Sequence, residues 1–104
     1  MTLFAVHYTY SDDSAARDEH RPAHRDFLGG LADEGVLLLS GPYAAVDEAP
    51  DAALLVVRGG SAGEVVELLR EDPFQQQGLV EQVVVREWTP VLGAWHAGPL
   101  ADEL

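Results

Sequence analysis

Three unbroken apolar runs, Leu37-Leu38-Leu39, Leu54-Leu55-Val56-Val57 and Val83-Val84-Val85, set the strongest limit on how this chain folds. Each lies in a segment of strand-like composition, and successive side chains on a strand point to opposite faces of its sheet. A sheet with one face in water needs a polar residue at every second position. These runs lack it, so the sequence predicts a sheet covered on both sides.

The remaining segments say what covers one of those sides. Residues 2–10, TLFAVHYTY, read as a first strand, and the polar stretch SDDSAARDEHR after it reads as a loop or a loose helical turn. Pro22 suits the first turn of a helix, which then runs to about Glu34 and ends at Gly35. Strands follow at 36–42, stopped by Gly41-Pro42, and at 52–58. Ser61 and Glu64 form a capping box for a second helix over 62–71, with Val65, Val66, Leu68 and Leu69 inward. DPFQQQG is a short turn, residues 79–90 a fourth strand, and the residues from Val91 onward an irregular tail. The order β-α-β-β-α-β is the ferredoxin-like plan, an α+β fold in which two helices lie on one face of a four-stranded antiparallel sheet. The other face then needs a second cover, and the simplest is the same face of another copy, giving a homodimer.

Composition narrows the function. The 104 residues fit one domain, and 18 acidic against 6 basic residues give a net charge of −12. That balance disfavours nucleic acid and anionic membranes as partners. The absence of cysteine excludes disulfides, thiolate metal sites and a thiol nucleophile. No serine sits in a G-x-S-x-G elbow, so acyl transfer through a serine is disfavoured. No apolar stretch is long enough to span a bilayer and no leader is visible, so the expected location is cytoplasmic.

Two positions resist a purely structural reading. On a helical wheel His24 falls within about 60° of Phe27, Leu28 and Leu31, in the stripe that packs on the sheet. An unpartnered polar group there costs ~1–3 kcal/mol, so the ring needs a hydrogen bond, a water or a ligand. His20 lies four residues earlier, a metal-binding spacing on a regular helix, but Pro22 stands between them and no third ligand is fixed by spacing. Asp72 precedes Pro73, which ends the second helix, and a carboxylate there meets the unfavourable end of the helix dipole. It can instead cap the next turn, and its two oxygens allow it to cap while also orienting a histidine.

Arg21-Pro22-Ala23-His24 with Phe27-Leu28, Leu39-Ser40-Gly41-Pro42, Asp72-Pro73-Phe74 with Gly78-Leu79, and the closing Trp88-Thr89-Pro90-Val91-Leu92-Gly93 follow in a familiar order. Over about residues 1–93 the chain resembles the YciI family, the YCII-related domain, with 94–104 as a tail that has no counterpart. The resemblance implies a ferredoxin-like fold of the dimeric α/β-barrel type and a His–Asp active site, which here would be His24 and Asp72. Tyr8, Gly41, Pro42 and Phe74 would contact the substrate. One relative is a dehydrochlorinase of chlorinated aromatics, and the wider superfamily includes muconolactone isomerases and cofactor-free monooxygenases. The polar, acidic segment between Ser11 and Arg21 departs from the more basic and apolar approach of many relatives.

The resemblance therefore suggests an isomerase or lyase acting on a small cyclic or carbonyl compound, with Asp72 orienting His24 and no cofactor or metal. A non-catalytic binding domain of the same fold and a cofactor-free monooxygenase are the alternatives. Gly59-Gly60-Ser61 could hold an anion at a helix N-terminus, but a glycine-rich strand-to-helix turn explains it equally well.

Overall fold

The computed structural model describes residues 2–97. In chain order the elements are β1 (Thr2–Tyr10), α1 (Ser14–Asp33), β2 (Leu37–Pro42), β3 (Ala52–Gly59), α2 (Ala62–Leu69), α3 (Pro73–Gln76) and β4 (Val80–Glu87). A 3₁₀ turn follows at Ala94–Ala97 within the expected irregular tail, and residues 98–104 lie outside the described residues. The four strands form one antiparallel sheet in the order β2-β3-β1-β4, the ferredoxin-like arrangement. No helix among the described residues is long and apolar enough to cross a membrane.

Strand alternation decides which side chains meet the helices. Phe4, Val6, Tyr8 and Tyr10 of β1 point to the helical side, as do Ala53, Leu55 and Val57 of β3, and all seven are buried. They close on Leu28 and Leu31 of α1, Val65 and Leu69 of α2, and Phe74 and Leu79. Val66 and Leu68, expected to face inward, are half-buried. The leucine run in β2 is divided by a register shift: Leu37 pairs with Val57 and Leu39 with Val56. One extra residue thus sends Leu37 to the helical side and Leu39 to the opposite side, where it is 40% exposed. Beside it on the helix-free face lie half-buried Leu54 and the exposed His7 and Val84.

The helix termini follow the sequence chemistry. Gly35 takes φ +76°, its N–H donates to the Ala32 carbonyl and that of Val36 to Leu31, so α1 ends in a Schellman motif. Ser61 Oγ accepts the Glu64 N–H at 3.1 Å, and the Glu64 carboxylate reaches back to the Gly60 N–H. That carboxylate fills the N-terminus of α2, so the Gly59-Gly60-Ser61 turn already holds the chain's own anion.

One expectation fails. The helix does not begin at Pro22: α1 starts two turns earlier, capped by Asp13, whose Oδ1 accepts the Ala16 N–H at 3.0 Å. From Ser14 the polar segment, expected as a loop or a loose helical turn, is therefore regular helix, and Pro22 lies inside it. Arg17 explains why those turns form. Its guanidinium is buried, donates to the Ser11 carbonyl, pairs with Asp51 at 2.6 Å and lies 5.0 Å from the Tyr10 ring centroid. These contacts tie the first turns of α1 to the ends of the central strands β1 and β3 and offset the hydrogen bond that the proline removes.

Candidate active site

The turn after α2 builds the site. Asp72 adopts extended backbone angles (φ −62°, ψ 123°), Pro73 occupies the first helical position of α3, and Asp72 Oδ1 accepts the Phe74 N–H at 2.9 Å. The same Oδ1 lies 2.8 Å from His24 Nδ1, and Oδ2 accepts the Tyr8 hydroxyl hydrogen at 2.9 Å. Asp72 has no solvent exposure at all. The cap and the histidine contact expected of Asp72 both occur, but one oxygen, Oδ1, makes both, and the second oxygen accepts from Tyr8 instead.

The network fixes the histidine tautomer. Tyr8 O accepts from Gln75 Nε2 at 3.1 Å, so the single hydroxyl hydrogen goes to Asp72. Burial first, and then the Asp72 charge, hold the Tyr8 phenol well above its ordinary pKa, which keeps that hydrogen in place. Asp72 thus accepts at both oxygens, and Nδ1 of His24 carries the proton it donates. Nε2 makes no hydrogen bond among the described residues. The imidazole also lies flat on Phe74, with ring centroids 3.8 Å apart and planes 4° from parallel.

His24 belongs to the wall of a cavity of about 440 Å³ between α1 and the β2 side of the sheet. Leu37, Ser40, Gly41 and Pro42 of β2 form one wall, and Ala53, Leu55 and Tyr10 contribute from the sheet. Phe74 closes it at α3. Of the residues expected at a substrate, Gly41, Pro42 and Phe74 line this space. Tyr8 does not; it is fully buried behind Asp72, whose second oxygen it holds.

The cavity also has a lining that sequence reasoning missed. Arg17, Arg21 and Arg25 recur every fourth residue on α1, and all three line the cavity together with Gly29 and Ala32. Their spacing was visible, but the first two fell in the segment read as a loop. Tyr10 was missed too. Burial chiefly, with Asp72 adding and Arg17 opposing, raises its phenol from 10.0 to about 12. Continuous helix brings His20 and His24 within one turn, yet no group of three side chains suited to a metal exists among the described residues.

A four-stranded antiparallel sheet of ferredoxin-like order, covered by helices, places the chain among small α+β domains. Within that class the chain belongs to the YCII-related domain family, whose sequence profile matches residues 2–89. It is 32% identical over 77 residues to the derivative of benzaldehyde biosynthesis cluster protein C of Emericella nidulans, a match covering 67% of this chain and 79% of that one. Among solved structures it is similar to the 5-chloro-2-hydroxyhydroquinone dehydrochlorinase of Burkholderia phenoliruptrix in complex with 2,5-dihydroxybenzoquinone. That likeness has a TM-score of 0.70 at 24% identity and covers 84% of this chain and 93% of that one. Rv0793 of Mycobacterium tuberculosis is similar at a TM-score of 0.50 and 15% identity, over 89% and 97% of the two chains. Both structural likenesses bear on the fold.

Proposed function

We propose that the chain is a small-molecule enzyme in which His24 Nε2 is a general base and Asp72 its positioning partner. One observation carries this reading: Nδ1 is bonded to a fully buried carboxylate, Nε2 has no hydrogen-bond partner among the described residues, and His24 lines a cavity. A histidine serving only the core would have both nitrogens satisfied by protein. With Nδ1–H held by Asp72, Nε2 can take a proton from a carbon next to a carbonyl or from a ring hydroxyl. The imidazolium that forms is stabilised by the adjacent carboxylate, as an unpaired ring would not be. The electrons left on the substrate either expel a leaving group, which is elimination of HX, or recapture the proton at a second carbon, which is isomerisation. The similar dehydrochlorinase makes chlorinated hydroxyhydroquinones the first compounds to assay.

The protein acts, in this reading, as a dimer joined through the helix-free sheet face. Leu39 and Val84 lie exposed there, on strands too apolar for a water-facing sheet.

The test is His24→Asn. The asparagine amide can still donate to Asp72, but nothing remains at the Nε2 position. Turnover on a panel of chlorinated hydroquinones and cyclic enol lactones should fall about 10²–10⁴-fold with the fold retained. Undiminished turnover would overturn the proposal. Loss of stability, with no wild-type turnover of any panel compound, would favour a binding domain.

A further inference from the structure

The cavity's charge is opposite to that of the chain. Acids outnumber bases 18 to 6, there is no lysine, and yet three of the six arginines and no aspartate or glutamate line this one space. Placement indifferent to function would have put acids there. The three arginines differ in what they can offer. Arg17 is committed to Asp51 and the Ser11 carbonyl, so its charge is already balanced. Arg21 pairs with Asp18 one turn back, an exposed contact that is weak and easily exchanged. Arg25 is exposed and has no ion pair or hydrogen bond among the described residues.

A guanidinium at a cavity rim, one residue from a fixed imidazole and with no ion pair among the described residues, has the geometry to take a planar oxyanion through two parallel N–H donors. We infer that the site takes small ring-bearing carboxylates, the carboxylate held by Arg25 with help from Arg21 and the ring against Leu28, Leu55 and the Tyr10 face. The inference deepens the proposal of the preceding section and rests on its placing the substrate in this cavity, though not on proton transfer. It also accounts for the stripe as a local reversal of the field, because a protein of net charge −12 repels the anions it must admit. The same positive wall lowers the energy of the additional negative charge that proton removal leaves on the substrate.

Equilibrium binding to the full-length protein tests this without turnover. The probes are 2,5-dihydroxybenzoate and its neutral isostere 2,5-dihydroxybenzamide, followed by calorimetry and by the ring nitrogen resonances of His24. The acid should bind at least about tenfold more tightly than the amide at low salt. Arg25→Gln should remove most of that preference and Arg21→Gln a smaller part, with amide binding unchanged in both. Arg70→Gln removes the same charge from the C-cap of α2, outside the cavity lining, and should change nothing. Equal binding of acid and amide by the unaltered protein, an Arg70→Gln loss as large as that of Arg25→Gln, or no binding of either probe at millimolar concentration would each overturn the inference. Failure of the proton-transfer reading would show differently, as turnover surviving in His24→Asn with the acid preference intact.

Discussion

Replacing Asp72 by alanine and by asparagine separates what this carboxylate contributes as an acceptor from what it contributes as a charge. Asp72→Ala removes the acceptor for three donors at a position with no solvent exposure: the Phe74 N–H, the Tyr8 hydroxyl and His24 Nδ1–H. The His24 side chain is 11% exposed and can turn toward the cavity, so two donors are left stranded. At ~1–3 kcal/mol each, the loss centres on about 4 kcal/mol, with the missing cap of α3 included. For a domain of this size that is a fall in Tm of about 15–30 °C. Asp72→Asn behaves differently because Oδ1 alone serves both Phe74 and His24. With the amide oxygen there, two of three contacts survive and only Tyr8 loses its acceptor, at about 1–2 kcal/mol. Urea unfolding of the three proteins, with equal m-values as the control for comparable unfolded states, measures both numbers. An alanine variant within about 1 kcal/mol of the parent, or an asparagine variant as damaged as the alanine one, would refute the account of the network. In the asparagine variant the imidazolium also loses its counter-charge, so turnover should fall far more than stability.

Further expectations can be checked with the same material. Tyr8 and Tyr10 both ionise more readily in the unfolded chain, so their contribution to stability is complete below about pH 10. It should then fall by up to ~1.4 kcal/mol per pH unit per phenol as the pH rises toward and through about 12 for Tyr10, and an unfolding free energy flat across that range would contradict the burial of these hydroxyls. Gly59→Ala would place a Cβ 2.7 Å from Val65 Cγ2 and should cost ~1–3 kcal/mol in chemical denaturation, whereas Gly41→Ala meets nothing within 4 Å and should leave stability near that of the parent. Ser61→Ala removes the acceptor for the Glu64 N–H and should lower stability by ~1 kcal/mol, read from the denaturation midpoint. If the helix-free face joins two copies, Val84→Glu should convert a sedimenting dimer to monomer with the circular dichroism spectrum preserved; an unchanged dimer would move the interface elsewhere.

The strands, the order of the elements and the ends of the helices were legible because each depends on local chemistry. Gly35 and the Ser61–Glu64 pair act within a few residues of themselves, and Asp72-Pro73 carries its own turn instruction. The start of α1 was not legible, because two local rules conflict there. Pro22 is a good first-turn residue, and nothing local says that Arg17 will be held by Asp51, 34 residues away and just before β3. Such a contact is long-range, and it overrides the proline. The error then spread to the site, since a loop has no wheel on which Arg17, Arg21 and Arg25 could be aligned. Tyr8 shares strand parity with Val6 and Tyr10, which puts it beneath the helices, but parity does not separate it from Tyr10 at the cavity wall; its bond to Asp72, 64 residues away, does. The leucine run at 37–39 illustrates the opposite case, in which an apolar triplet that suggests two-sided burial is partly explained by one inserted residue.

Phe74 supplies both the amide that pins Asp72 and the flat surface beneath the imidazole, so the ring of His24 is bolted along one edge and paved on one side. It cannot spin to follow a reacting atom. A proton acceptor without that freedom makes the incoming molecule do the aligning, and of two hydrogens on a methylene only one can be presented. Chemistry carried out here would be stereospecific, and a substrate deuterated at one prochiral position would give up the same isotope at every turnover.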